Sequence, residues 1–128
     1  MPAAPIAVTF KQGEDKEIKV AVVENGLAVP LTGCINIKGI LKVNNVIQKK
    51  YALVPETDFG SLVVDGVNTN QANIFVERAE SVNFPVGAIT IILLAAFPDV
   101  SFPDGERVEE FKFAVGRVTP GEGINEII

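Results

Sequence analysis

Apolar positions in this chain fall mostly at every second residue, the period of a strand that turns one face to a core. Residues 17–22 show it most plainly: Ile18, Val20 and Val22 share one side, and Glu17, Lys19 and Ala21 the other. The same alternation predicts strands at 6–10, where Ile6, Val8 and Phe10 share a side, and at 72–77. Residues 108–115 repeat it, with Phe111, Phe113 and Val115 against Glu110, Lys112 and Ala114. Residues 34–41 predict a strand with Ile35 and Ile37 facing in, and residues 46–53 another, whose Lys49 and Lys50 mark a solvated face or a protected edge. Shorter strands are expected at 27–29, confined to an edge by Pro30, and at 62–64.

The most apolar stretch, Ala88-Ile89-Thr90-Ile91-Ile92-Leu93-Leu94-Ala95-Ala96-Phe97, is rich in β-branched residues and closed by Pro98. A membrane helix needs roughly 20 apolar residues, so the run is too short to span a bilayer. It predicts a strand buried on both faces, around which the others pack. Turn chemistry separates the strands: Asn25-Gly26, Asn44-Asn45, Asp65-Gly66, and a long hairpin loop over 98–106. Helical spacing is confined to one turn at 79–82. About nine short strands with turn signals between them predict an all-β protein, an antiparallel β-sandwich.

Composition narrows the chemistry. The 128 residues are 48% hydrophobic but 7% aromatic, with no Trp, one Tyr (Tyr51) and eight Phe, so Val, Ile, Leu and Phe carry the core. One domain of this length builds a core without staples. A formal net charge of −5 argues against nucleic-acid binding, which needs a basic surface. The chain has no histidine, which excludes Ser-His-Asp and Cys-His triads and imidazole base catalysis. Cys34, the one cysteine, sits among apolar residues and reads as a small buried thiol; no spacing fits zinc. Asp99, Asp104 and Glu106 share a hairpin loop and are the one candidate calcium cluster, although their spacing matches no EF-hand and solvated loop carboxylates are the expectation. Arg107, Glu109 and Glu110 read as surface charge. No cofactor, metal or catalytic residue is expected. The segment Met1-Pro2-Ala3-Ala4-Pro5 has no charged and apolar leader pattern, so synthesis in a cytoplasm is expected, with no membrane partner.

Phe59, Phe97 and Phe102 stand in or beside loops. Two roles remain open for them: capping the end of the sandwich, or offering an apolar patch to a partner. From Thr119 the chain changes character. Pro120-Gly121-Glu122-Gly123 is a connector, and Ile124, Ile127 and Ile128 make an apolar terminus suited to docking on a neighbour or on the domain itself.

Two motifs carry a resemblance. Leu31-Thr32-Gly33 precedes a strand, and Glu80-Ser81-Val82-Asn83-Phe84-Pro85-Val86-Gly87 precedes the apolar run. Together they resemble the immunoglobulin-like sandwich of bacteriophage virion proteins, which includes the N-terminal domain of baseplate upper proteins and related head-decoration and fibre-attachment domains. Phe84 stands where that family often has Leu, and Ala88 where an aromatic is common. The resemblance spans residues 13–118. It implies an antiparallel immunoglobulin-like sandwich over 1–118 with a short N-terminal arm, and a C-terminal extension over 119–128. It also implies a virion structural protein with no catalysis: a head auxiliary, decoration or fibre-anchoring protein, or a tail or baseplate adaptor. Its partners would be the capsid shell, a fibre or tail protein and further copies of itself. Ile124, Ile127, Ile128, Phe102 and Phe97 are then the candidate partner-binding residues. A glycan- or receptor-binding module is the alternative of another class, weakened by the lack of Trp.

Overall fold

The alternating segments form strands through most of the chain. The computed structural model describes residues 8–121, of which 58% lie in strands and 4% in helix. In chain order the strands are β1 (Val8–Lys11), β2 (Lys16–Ala21), β3 (Val23–Glu24), β4 (Leu27–Ala28), β5 (Asn36–Val43) and β6 (Val46–Ala52). They continue with β7 (Gly60–Val64), β8 (Gln71–Val76), the helical turn α1 (Arg78–Ser81), β9 (Gly87–Pro98) and β10 (Glu106–Thr119). Asn25 and Gly26 join β3 to β4 at φ 53° and 77°, and Asn44 and Asn45 join β5 to β6 at 51° and 65°. Consecutive positive φ values are what a two-residue hairpin turn needs, and Asn and Gly adopt them at least cost. The one helix among the described residues, α1, is a single turn, too short to cross a membrane.

Eight strands form one mixed sheet in the order β1-β10-β9-β5-β6-β7-β8-β2, and β3 and β4 pair as a separate hairpin. The sheet curls nearly closed, like a barrel. Its end strands, β1 and β2, are consecutive in sequence and joined by a short turn, so the two ends of the sheet must lie near each other. The expected purely antiparallel arrangement is corrected: β1 pairs parallel with β10, and β6 pairs parallel with β7. The second junction is slight, Tyr51 with Gly60 and Ala52 with Ser61.

One apolar cluster fills the inside, with Phe10, Ile18, Leu41, Leu62, Ile74, Leu93 and Phe113 among its members. At Gly39, β5 comes close to the opposing strands β7 and β8. A Cβ there would lie 3.3 Å from methyl groups of Ile74 and Leu62, so the missing side chain lets two parts of the sheet approach. Gly116 has a similar role at the edge. It sits at a bulge in β10 at φ 137°, and a Cβ would strike the Val8 carbonyl of β1.

Two sequence expectations change. β9 is not buried on both faces: Ile89, Ile91, Leu93 and Ala95 are buried, whereas Thr90, Ile92, Leu94 and Ala96 are half-buried on the outside. Among the described residues no second layer covers them. The register sets Leu94 between Lys38 and Glu110, and Ile92 between Ile40 and Lys112. Aliphatic stems of such long charged side chains shade an apolar stripe while their heads stay wet. Ile37 is fully buried as expected, but Ile35 is 45% exposed. Ile35 lies in the bend before β5, where its N–H donates to the Ala96 carbonyl at 2.8 Å. The pleat that turns Ile37 inward begins only after it.

The near-closure is held at one end. The β1–β2 turn crosses there from one end of the sheet to the other, and α1 crosses back from β8 to β9. Ser81, fully buried, joins the two crossings: its Oγ accepts from Gly13 N–H at 3.0 Å and donates to the Glu14 carbonyl at 2.8 Å. Gln12 donates from Nε2 to the Phe84 carbonyl at 2.6 Å and from its backbone N–H to the Thr119 carbonyl at 3.0 Å. Asp15 accepts from the Arg78 N–H at 2.7 Å.

Replacing Ile91 or Leu93 by Ala should cost about 2–5 kcal/mol of unfolding free energy, as cavities in well-packed cores do; urea titration checks it, and a loss below about 1 kcal/mol at both would contradict the packing described. Ser81→Ala should cost about 1–3 kcal/mol, because it strips partners from the Gly13 N–H and Glu14 carbonyl in a buried junction. The same titration reads it.

Candidate interaction surfaces

The hairpin between β9 and β10 carries most of the residues singled out in the sequence. Its backbone is a tight turn, with the Asp99 N–H donating to the Gly105 carbonyl at 2.8 Å and the Gly105 N–H to the Phe102 carbonyl at 2.9 Å. Asp99 spends both carboxylate oxygens locally: Oδ1 accepts from Ser101 N–H at 2.9 Å, and Oδ2 from Arg107 Nη1 at 3.1 Å. Asp104 Oδ1 accepts from Glu106 N–H at 3.1 Å. The three candidate calcium ligands are thus not gathered around one point, and no group of three Asp, Glu, Cys or His among the described residues is placed to hold a metal. The Ser101 N–H first, then the Ser101 hydroxyl and the Arg107 guanidinium, hold the Asp99 carboxyl below its ordinary range. Asp65 is lowered in the same manner, first by the N–H groups of Asn68 and Val67 and then by Asn73, in the turn between β7 and β8.

The three phenylalanines separate. Phe97 is half-buried against the core, with the Arg107 guanidinium 5.1 Å from its ring centre. Arg107 also bridges to Glu109 at 3.2 Å, so Phe97 closes the sheet end beneath an ion pair. Phe59 is half-buried, with the ammonium groups of Lys38 and Lys50 at 5.4 and 6.0 Å from its ring. Phe102 alone is exposed, at 45%, on the hairpin turn beside Val100, which is wholly exposed. Of the candidate partner-binding residues, the structure therefore leaves Phe102 open and tucks Phe97 under Arg107. Ile124, Ile127 and Ile128 lie outside the described residues.

Cys34 is half-buried and precedes β5 rather than lying within a strand; burial pushes its thiol upward. Tyr51 is fully buried, and its ring fills the space a Cβ on Gly60 would take. Burial, then Glu80 and Glu77, push its phenol far above the ordinary range, and its hydroxyl has no hydrogen-bond partner among the described residues. Nearby, Lys49 Nζ pairs with Glu80 at 2.6 Å, which ties β6 to α1.

The sequence pattern missed a surface. An open depression of about 330 Å³ lies on the outside of β5, β9 and β10, lined by Asn36, Lys38, Leu94, Ala96, Glu106 and Val108. Val108 is 62% exposed. Reading β9 as buried on both faces hid this site, because Leu94 and Ala96 were assigned to a core. The polar residues opposite them in the neighbouring strands, Lys38, Glu110 and Asn36, were the signal that this face meets water.

Asp65 and Asp99 both have depressed carboxyl pKa values, so each stabilises the fold above its unfolded value near 3.9 and loses that contribution as pH falls through the lower folded value. The variant D65N/D99N should therefore be less stable than the parent at pH 7, and the gap between the two urea midpoints should narrow as pH falls below the unfolded value near 3.9. A gap that stays unchanged as the carboxylates are titrated in acid would contradict the assignment.

Neither a protein-family model nor a curated protein matches the sequence.

Proposed function

We propose that the chain is a non-enzymatic structural protein of a bacteriophage virion, a head auxiliary or decoration protein or a fibre anchor. The observation that carries this reading is the strand order. Divided at the two-residue junction of β6 with β7, the sheet becomes two layers, β1-β10-β9-β5-β6 and β7-β8-β2. Immunoglobulin-like domains place strands B, E and D in one layer and C, F and G in the other, with C′ beside C in the variable type. Here β2, β8 and β7 correspond to B, E and D, β5, β9 and β10 to C, F and G, and β6 to C′. That correspondence supports the immunoglobulin-like sandwich implied by the motifs.

The motif residues hold positions that fit such a role. Leu31 is fully buried, Ser81 joins the two crossings, and Phe84 is 3% exposed beneath them. Gly87 opens β9 against the side chain of Asn44, where a Cβ would collide. The non-catalytic part of the reading rests on the lack of histidine and on loop carboxylates committed to turn hydrogen bonds. Assembly contacts would come from Phe102, from the tail isoleucines and from other copies of the chain, with the capsid shell, a fibre or a tail protein as neighbours. A tail or baseplate adaptor draws on the same support. A glycan- or receptor-binding module draws on less: Tyr51 is buried and Phe59 lies beneath two lysines, so neither offers a flat aromatic platform.

A mass-spectrometric inventory of purified virions should find the protein at a fixed copy number. Deleting residues 120–128 should lower its incorporation while leaving the melting temperature of the isolated protein nearly unchanged. Virions that never contain the protein, or a deletion that unfolds it, would overturn the reading or its tail contact respectively.

A further inference from the structure

β10 has one long edge that nothing among the described residues pairs with. On one side it pairs with β9 from Glu106 to Val118; on the other, β1 meets it only from Gly116 to Thr119. The stretch from Glu106 to Val115 therefore presents its outer N–H and C=O groups unpaired. Other edges of the fold are blunted. β2 is short and carries Lys16, Glu17 and Lys19, the open part of β6 carries Lys49 and Lys50, and β4 runs into Pro30. Residues 106–115 contain no proline, and the bulge comes only at their end.

The charges on this edge complement themselves about a two-fold axis. Val108, Glu110, Lys112 and Ala114 are exposed on the outer face, while Phe111, Phe113 and Val115 face the core. Two antiparallel copies of β10 must set outer residues opposite outer residues, so the axis passes through a residue rather than between two. An axis at Glu110 sets Glu110 against its own copy, and an axis at Lys112 sets lysine against lysine. An axis at Phe111 sets Glu110 opposite Lys112 of the second copy, twice, and Val108 opposite Ala114, twice. It also uses residues 107–115 and stops where β1 takes over the edge at Gly116.

We propose that two copies of the chain associate through this edge, β10 against β10, antiparallel about a two-fold axis at Phe111, to form one continuous sheet across the pair. The interface is isologous, the commonest form of protein self-association. Opposite charges directly across a strand pair favour it, and like charges directly across oppose it. The proposal deepens the self-assembly part of the function proposed above and rests on it only there, since the pair needs no virion to form.

Sedimentation equilibrium on the full chain tests it, with the variants E110K, K112E and the double exchange E110K/K112E. All three change exposed side chains, and circular dichroism and melting temperature confirm that each folds. The parent should dimerise, each single variant should raise the dimer Kd at least tenfold, and the double exchange should restore it. A parent that stays monomeric to millimolar concentration, single variants that dimerise as the parent does, or a double exchange that rescues nothing would each overturn the proposal. So would dimerisation seen only after residues 1–7 are deleted, which would mean that the arm covers the edge in its own chain. A monomer that is nonetheless found in virions removes the edge pair and leaves the virion role standing; a dimer never found in virions does the reverse.

Discussion

The architecture depends on how a curled sheet is kept from opening, and that constraint falls on one buried hydroxyl. The sheet is nearly closed, but β1 and β2 at its two ends are not paired with each other. What holds them is the end of the barrel where the β1–β2 turn and α1 cross in opposite directions. Ser81 Oγ satisfies one donor and one acceptor of the facing turn, the Gly13 N–H and the Glu14 carbonyl. Neither crossing belongs to a sheet ladder, so polar groups buried between them must find partners in each other. A serine supplies a donor and an acceptor in the smallest volume, so it fits between two chains that pass this closely. Gln12 extends the junction to Phe84 and Thr119, which brings the last strand under the same control.

With the closure fixed, the remaining surface is set by the strand period. Each strand of β5, β9 and β10 gives one row to the core and one to the outside, and the outer row mixes apolar residues with lysine and glutamate. This arrangement gives the outer face broad, partly apolar character, including the open depression of about 330 Å³ beside Lys38, Leu94 and Val108. The carboxylates of the β9–β10 hairpin are spent on their own turn, and the one tyrosine is sealed inside. What the described residues offer to the outside are sheet faces, a strand edge and a hairpin tip, the features through which proteins meet other proteins.

Much of this was legible in the residues. Ile18, Val20, Phe111 and Phe113 face the core as the alternation requires, Asn-Gly and Asn-Asn stand at hairpin turns, and the lone helical turn falls within a residue of its expected place. A period of two determines which side chains face in; it is silent about which strand lies alongside. The parallel pairing of β1 with β10 and the slight one of β6 with β7 are therefore not legible, because they depend on where distant segments meet. The outer face of β9 was misread for a related reason: Ile92 and Leu94 are apolar, and their polar cover comes from Lys38, Glu110 and Lys112 on other strands. Ile35 followed the period but stands before the strand begins. Phe97 and Phe102 could not be separated either, since what divides them is the guanidinium of Arg107 lying over only one ring.

Amide hydrogen exchange tests the central claim, that the Ser81 junction closes the barrel as part of one cooperative unit. If it does, the Gly13 and Gln12 amides at the junction should exchange only through global unfolding, with the same opening free energy and denaturant dependence as the amides of Ile91 and Leu93 in the central strand. If Gly13 and Gln12 instead exchange orders of magnitude faster, without denaturant dependence, while Ile91 and Leu93 stay protected, the junction opens on its own and the closure must come from elsewhere.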